Sequence, residues 1–357
     1  MKLRTLKDHL LKALADMGGC VAQRATHPVL KCVQLDATEA GGYLWGCNLE
    51  VTGMTLFQAK VDEPGSICVE YKRLLAFVKT LPDEAITVRT TPQRLIVEVG
   101  SYKAQFPVVH PDEFPLAPDV VGESYCIPDF CQMVLAVSKA AAKKDNRPIL
   151  TGVCLWPKDG FLYFVGADSY QAVITKTALD VAHRPLILPA KSLAMIAKAV
   201  GEGETVTVTI GETVNAVRFD IDGLIYWLQM LDGTYPDVFR LMLTDTPRAS
   251  FTTPEMERAV KAAWAVGKNG DGIVELSSDG EGQIKVQASS VDGYVGEAII
   301  EAPDCAAFRI GLNGNFLLGA LDKETLSTFE WRGENSSMAI RRDNYYHLIM
   351  PMHIRPK

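Results

Sequence analysis

The chain has 357 residues, a formal net charge of −7, and 48% hydrophobic and 22% charged residues. That length allows two or three domains, and the balance is that of a globular protein with material for more than one core. The acidic sum argues against a simple basic nucleic-acid binder, although an acidic exterior around a basic interior would give the same total.

In chain order, the first predicted element is a helix from about Leu3 to Met17, with Leu3, Leu6, Leu10, Leu14 and Met17 on one face. Lys7, Asp8, His9, Lys12 and Asp16 interrupt that stretch, so no secretory leader is expected. No stretch approaches the ~20 apolar residues that span a bilayer, and a cytoplasmic location is expected. Val69 to Val78 carries Leu74, Leu75 and Val78 at helical spacing. Short alternating runs at Ile86–Arg89 and Leu95–Val99 read as strands. The aromatic strand Tyr102–Phe106 follows, then Phe114-Pro115 and a candidate linker, Pro115 to Gly122.

A second helix is predicted from near Pro128 to about Lys143, with proline tolerated at its start. Leu188 to Ala197 reads as another helical signature and Thr205–Ile210 as a strand. Gly201–Glu204 reads as a turn, because two carboxylates would repel a phosphate. Tyr226–Met230, Tyr235-Pro236 and a linker from Leu243 to Ser250 complete this part. A third opening helix is predicted with Thr253 as N-cap and Pro254 at N1, running to about Gly267. Ile284–Ala288 reads as a strand, Leu312–Leu321 as a helical signature, and Tyr346–Met350 as an aromatic strand.

These elements repeat. The segments beginning at Val69, Leu188 and Leu312 start 119 and 124 residues apart, and those at Tyr102, Tyr226 and Tyr346 start 124 and 120 apart. The chain is therefore expected to hold three similar α+β domains, 1–120, 121–246 and 247–357, each with two helices on an antiparallel sheet.

No chemistry-bearing pattern accompanies the repeat. The cysteines Cys20, Cys32, Cys47, Cys68, Cys126, Cys131, Cys154 and Cys305 form no CxxC pair and the histidines are scattered, so no metal site and no cofactor are expected. Most of the cysteines are expected to be small core hydrophobes in a reducing compartment. The chain carries no GxxxxGK[ST], GxSxG or HExxH, and Asp168 reads as a strand-end turn residue, so no enzyme is expected.

Several local motifs resemble the beta sliding clamp of bacterial replicative DNA polymerases. Gln23-Arg24 before Pro28-Val-Leu30, then Gly46–Glu50, is similar to the family's first domain, and Asp145–Gly152 to the entry of its second. Ala167–Ala172 stands where the family usually reads Thr-Asp-Gly-His-Arg-Leu, and Asp232–Arg240 is similar to its Asp-Gly-x-Phe-Pro-Asp-Tyr-x-Arg. Ile349-Met350-Pro351-Met352-His-Ile354 resembles its C-terminal Met-Pro-Met-Arg-Leu.

The resemblance implies a ring of two chains joined head to tail, lined by helices, around duplex DNA bound without regard to sequence. It implies DNA-facing roles for Arg24, Lys72, Arg73, Lys79, Lys143, Lys144, Arg147, Lys191 and Lys198. Between the second and third domains it implies a cleft for short motifs of the polymerase and clamp loader. That cleft would comprise Leu150, Ala167, Ser169, Tyr170, Gln171, Ala172, Pro236, Arg240, Leu241, Leu348, Met350, Pro351 and Met352. Methionines suit a surface that accepts several partners. Tyr170 adds an aromatic wall, Gln171 removes a possible cation and Ala172 widens the floor, so bulkier partner side chains are expected. Ala104, Phe106 and Trp264 align with the ring interface, where Trp264 reads equally as anchor or as core. A clamp-fold scaffold that binds proteins without encircling DNA is the alternative, favoured by the −7 charge and by the few basic residues between Asn313 and Asp322.

Overall fold

The computed structural model describes residues 1–144, 147–244, 246–267, 272–321, 326–333 and 336–354. Asp145 and Asn146 of the Asp145–Gly152 motif, Asp245 of the expected linker and Asp322 at the end of the base-poor stretch lie outside the described residues.

The chain opens with a strand, β1 (Lys2–Leu6), before α1 (Lys7–Met17). Leu3 and Thr5 are buried while Arg4 and Leu6 face out, a period of two that overrides the helical spacing expected from Leu3. Then come β2 (Cys32–Thr38), β3 (Gly41–Cys47), β4 (Val51–Phe57), β5 (Lys60–Glu63) and β6 (Gly65–Glu70). The first repeat closes with α2 (Tyr71–Thr80), β7 (Ala85–Thr91), β8 (Arg94–Val99) and β9 (Tyr102–Val109).

The second repeat runs β10 (Ser124–Ile127), α3 (Phe130–Ser138), β11 (Gly152–Lys158), β12 (Phe161–Ala167) and β13 (Gln171–Ala178). It continues through β14 (Leu186–Pro189), α4 (Ala190–Val200), β15 (Val206–Ile210), β16 (Ala216–Ile221) and β17 (Leu224–Gln229). The third runs β18 (Arg248–Thr252), α5 (Thr253–Gly267), β19 (Ile273–Ser278), β20 (Gln283–Ser289) and β21 (Val295–Glu301). It ends with β22 (Phe308–Asn313), α6 (Gly314–Ala320), β23 (Leu326–Trp331), β24 (Met338–Arg342) and β25 (Tyr345–Ile349).

Apart from β5, each repeat is therefore strand, helix and three strands, twice over. The opening strand of each half joins the three strands of the other half: β1 pairs with β7, β6 with β2, β10 with β15, β14 with β11, β18 with β23 and β22 with β19. This exchange makes the fold α+β, with antiparallel ladders throughout. The segments at Val69, Leu188 and Leu312 are the junctions of these halves, each a strand end followed at once by a helix.

The other two opening helices also differ from expectation. α3 ends at Ser138, short of Lys143, because the backbone N–H groups of Ala140 and Ala142 turn to the carbonyls of Val137 and Leu150. β12 passes directly beneath that helix end: a Cβ on Gly166 would lie 2.0 Å from the carbonyl oxygen of Val137. α5 already includes Thr253, whose hydroxyl lies 2.7 Å from that of Ser327, so Thr253 is inside the helix and not its flanking cap. Met256, Ala259, Val260, Ala263 and Gly267 form its buried stripe.

The chain forms two compact units. The first comprises Met1–Gln132 and Lys191–Leu231 and contains one 13-stranded sheet in which β4 pairs with β17. The second comprises Met133–Ala190 and Asp232–Lys357 and contains an eight-stranded sheet, in which β13 pairs with β25, and a four-stranded sheet. In each unit a strand ladder thus runs on from one repeat into the next.

The hairpin registers correct one alignment. Val99 pairs with Tyr102, Ile221 with Leu224 and Arg342 with Tyr345, so these three second residues are equivalent. Tyr226 and Tyr346 are therefore not counterparts. Tyr226 donates its hydroxyl to the carbonyl of Asp16 in α1, whereas the hydroxyl of Tyr346 accepts from the backbone of Leu243. A one-residue slip along a strand reverses the face of every side chain.

Candidate partner cleft and basic positions

The eight-stranded sheet of the second unit has two faces, set by strand alternation. Gly166 and Thr175 face α3, the latter with its hydroxyl 3.5 Å from the carbonyl of Met133. Val173 pairs with Gly166 and with His347, which places both on this helix side. Ala167, Ala172 and Leu348, paired in a row, lie on the opposite side.

The segment from Asp232 to Thr244 covers that opposite side. Tyr235 accepts a hydrogen bond from the backbone N–H of Ala167 at 2.9 Å, and its own hydroxyl reaches the carbonyl of Gly152. Phe239 stands edge-on to Trp156 and Tyr163, with Lys158 over its ring at 4.7 Å. Leu243 donates to Tyr346 at 2.8 Å. Burial raises the pKa of both tyrosines, which keeps them available as neutral hydrogen-bonding groups.

Leu150, Ala167, Ala172 and Leu348 are buried to within 5% of full burial. Around them Tyr170, Leu241 and Met350 are exposed by 64%, 53% and 43%, and the backbone N–H of Met350 bonds to the carbonyl of Tyr170 at 2.8 Å. Ser169, Pro236 and Arg240 are exposed, and Arg240 pairs with Asp237 at 3.0 Å. Pro351 and Met352 are half-buried, and Met352 donates to Gly311 at 2.7 Å, tying the C-terminal run to β22. The structure thus gathers small buried residues with an apolar rim of Tyr170, Leu241 and Met350.

Gln171 departs from the group expected above. It lies on the helix side with Val173, buried, and its amide donates to Asp168 at 3.2 Å while its carbonyl faces Nε2 of His347 at 3.0 Å. Tyr345 reaches Nδ1 of His347 at 3.0 Å. Asp168 accepts from the backbone N–H groups of Tyr170 and Gln171, the turn role read for it in the sequence. These polar groups line a cleft of about 840 Å³ together with Lys139, Phe316 and Tyr170. Nothing in the spacing of Asp168, Gln171 and His347 signals this chain of contacts, because it crosses a strand pair between distant segments.

The basic positions are all exposed, and their local settings differ. In the first unit, Lys72, Arg73 and Lys79 stand on α2 opposite its buried Tyr71, Leu74 and Val78. Lys191 and Lys198 stand on α4, opposite Leu193, Ile196 and Ala197. Arg24 lies in the segment after α1, and Arg73 pairs with Glu70 at 2.9 Å. In the second unit, Lys143, Lys144 and Arg147 lie after α3 and not on it, and Arg147 donates to Ser169 at 2.9 Å. α6 carries no basic residue. In β9, Phe106 is buried edge-on to Phe77, and Ala104 is half-buried. Trp264 is half-buried against the core of the third repeat, with its ring on Gly314.

Of the eight cysteines, all free thiols, seven are buried and Cys126 is exposed. Burial pushes Cys32 up to about 11 and Cys68 and Cys154 up to about 12. No group of potential metal ligands occurs among the described residues, and no helix there is long and apolar enough to cross a membrane.

Repeated halves that exchange their opening strands, with ladders running on between repeats, define a DNA-clamp architecture. Residues 1–118 match the family description of the DNA polymerase III beta subunit, N-terminal domain, and residues 128–237 that of its central domain. The two matches take in more than half of the chain, which belongs to this family of beta sliding clamps. The Beta sliding clamp of Bacillus subtilis is 26% identical over 346 residues, 90% of each chain. That of Staphylococcus aureus is 24% identical over 343 residues, 90% of this chain and 89% of its own. The DNA polymerase sliding clamp structure from Bacillus subtilis superposes with a TM-score of 0.93 at 22% identity, covering 99% of this chain and 100% of that one. A Pseudomonas aeruginosa sliding clamp bound to griselimycin gives 0.91 at 23%, with the same coverage.

Proposed function

We propose that the protein is a DNA sliding clamp, in which two chains join head to tail around duplex DNA and tether a polymerase to it. One observation supports this best. Six half-sheets end in β4, β9, β13, β17, β21 and β25. Four of these end strands pair across repeats, β4 with β17 and β13 with β25. Among the described strands, β21 and the Tyr102–Pro107 stretch of β9 have no such partner. Pairing β21 of one chain with β9 of another repeats the internal rule and closes a ring of two chains. The exposed Val295 and Ile299 of β21 and Tyr102 of β9 suit that contact, as an open apolar strand edge otherwise invites uncontrolled pairing.

In this reading the repeats 1–120, 121–246 and 247–357 are the clamp's domains. The exposed bases on α2 and α4 and after α1 and α3 meet phosphate oxygens. The rim of Tyr170, Leu241 and Met350 receives short apolar motifs of the polymerase and clamp loader, with Tyr170 favouring bulky side chains. The task is mechanical and needs no catalytic step or cofactor, and its setting is the cytoplasm.

Native mass at low micromolar concentration, followed by retention on circular DNA, tests the ring. The expected result is a two-chain mass, with protein held on closed circles and shed when they are cut. A monomer that is not retained overturns the ring and leaves the protein-binding scaffold, which the acidic total and the base-free α6 favour.

A further inference from the structure

The segment that opens β11 and the turn before β13 have counterparts in the first repeat, bond for bond. The N–H of Ala22 bonds to Leu30 and that of Leu30 to His27, as Ala142 does to Leu150 and Leu150 to Arg147. Asn48 accepts from the N–H groups of Glu50 and Val51, as Asp168 does from Tyr170 and Gln171. The N–H of Gln229 bonds to Glu50, as Met350 does to Tyr170. Leu30 is thus the counterpart of Leu150, Leu49 of Ser169 and Gln229 of Met350, and Phe114-Pro115 stands where Tyr235-Pro236 does.

At this equivalent place the first unit has a cleft of about 480 Å³, lined by Pro28, Val29, Leu30, Leu49, Glu113 and Pro115, with His27 beside them. Beneath it Phe114, Leu30 and Cys47 form a buried cluster against which Trp45 packs, and Trp45 stacks on Trp227 at 5.8 Å. Leu49 has a φ of 73°, a left-handed backbone that a leucine disfavours, and 65% of it is exposed. An apolar side chain held out in a strained turn at the mouth of a cleft points to a contact made there.

The charge of the two clefts is opposite. His27 stands at the position of Arg147 in the shared bond pattern, so the cation of the one cleft is missing from the other. Glu113 lies in the lining itself, and among the described residues it makes no ion pair.

We propose that this cleft is a second docking site on the same chain. Its occupant is an extended protein segment that inserts a large apolar side chain beside a lysine or arginine. The proposal rests on the reading of the Tyr170–Met350 rim as a docking surface, since the same frame is used with its charge reversed. Apolar insertion supplies affinity at such a site and complementary charge selects the partner.

The test is calorimetric titration of the full chain with two capped hexapeptides. One carries Leu-Phe flanked by lysines, the other Gln-Leu-Phe flanked by glutamates. The lysine peptide is expected to bind once per chain without competing with the glutamate peptide. Glu113→Lys and Leu49→Ser, both surface changes, should each weaken it roughly fivefold to tenfold, and Met350→Ser should leave it unchanged. Met350→Ser should instead weaken the glutamate peptide. If the lysine peptide does not bind, or binds with no response to either Glu113→Lys or Leu49→Ser, the second site is overturned. If it responds as expected while the glutamate peptide ignores Met350→Ser, the second site stands and the docking role of the Tyr170–Met350 rim falls instead.

Discussion

The carbonyl oxygen of the Gln171 side chain lies 3.0 Å from Nε2 of His347, across the β13–β25 ladder that joins the second repeat to the third. Because the Gln171 amide donates to Asp168, its oxygen must accept, so Nε2 carries the proton and Nδ1 accepts from Tyr345. One neutral imidazole satisfies the whole chain, and a second proton, on Nδ1, would force the Tyr345 hydroxyl to turn from donor to acceptor inside a buried site.

That arrangement sets a pH dependence. Burial, and secondarily the charge of Arg342, lower His347 to about 3 from its ordinary 6.5. The folded state therefore resists a proton that the unfolded chain accepts. Stability contributed by neutral His347 is complete above pH 6.5 and is lost as pH falls from there towards 3, by at most about 1.4 kcal/mol per unit. Urea unfolding between pH 7 and 4 should show this slope, and His347→Gln should flatten it.

Glu330 is fully buried and takes two hydrogen bonds from Arg341, at 2.8 and 3.0 Å, with Arg248 at 3.3 Å. Glu330→Ala would leave the Arg341 guanidinium facing an empty acceptor position. A loss of about 3 kcal/mol is expected, read as a lowered thermal midpoint of the second unit. A change under about 1 kcal/mol would mean that water replaces the carboxylate.

Two glycines should respond with opposite sign. Gly166→Ala places a methyl 2.0 Å from the backbone oxygen of Val137, which must move, and should cost about 2 kcal/mol or more. Gly319 lies exposed within α6 with nothing within 4 Å, and Gly319→Ala should stabilise by about 0.5–1 kcal/mol through the smaller entropy of the unfolded chain. Denaturant midpoints of the two variants check both signs.

Loss of a phosphate contact should flatten the dependence of log binding constant on log salt by about 0.9. Lys191→Gln and Lys198→Gln should each show this on linear duplex DNA, equally for any base sequence. Arg73→Gln should show less, because Arg73 is partly neutralised by Glu70 at 2.9 Å. An unchanged slope in the Lys191/Lys198 double variant would remove α4 from the DNA surface.

The sequence by itself determined the repeated order of elements, the helices α2 and α4, the course of α5 apart from its first residue, and the strand runs that precede α2, α4 and α6. These depend on local periodicity and on short motifs whose spacing survives along the chain. Only the tertiary structure decided that Leu3 lies in a strand, that Lys143 and Lys144 follow α3, and that Tyr226 and Tyr346 face opposite sides of their sheets. It also decided that Gln171 joins His347 and not Ala172 and Leu348. In each case the deciding partner is remote: β7 for Leu3, Gly166 beneath α3 for the lysines, and β25 for Gln171. A one-residue register reverses a side chain's face, and that register is set by ladder bonds between segments that no local pattern connects.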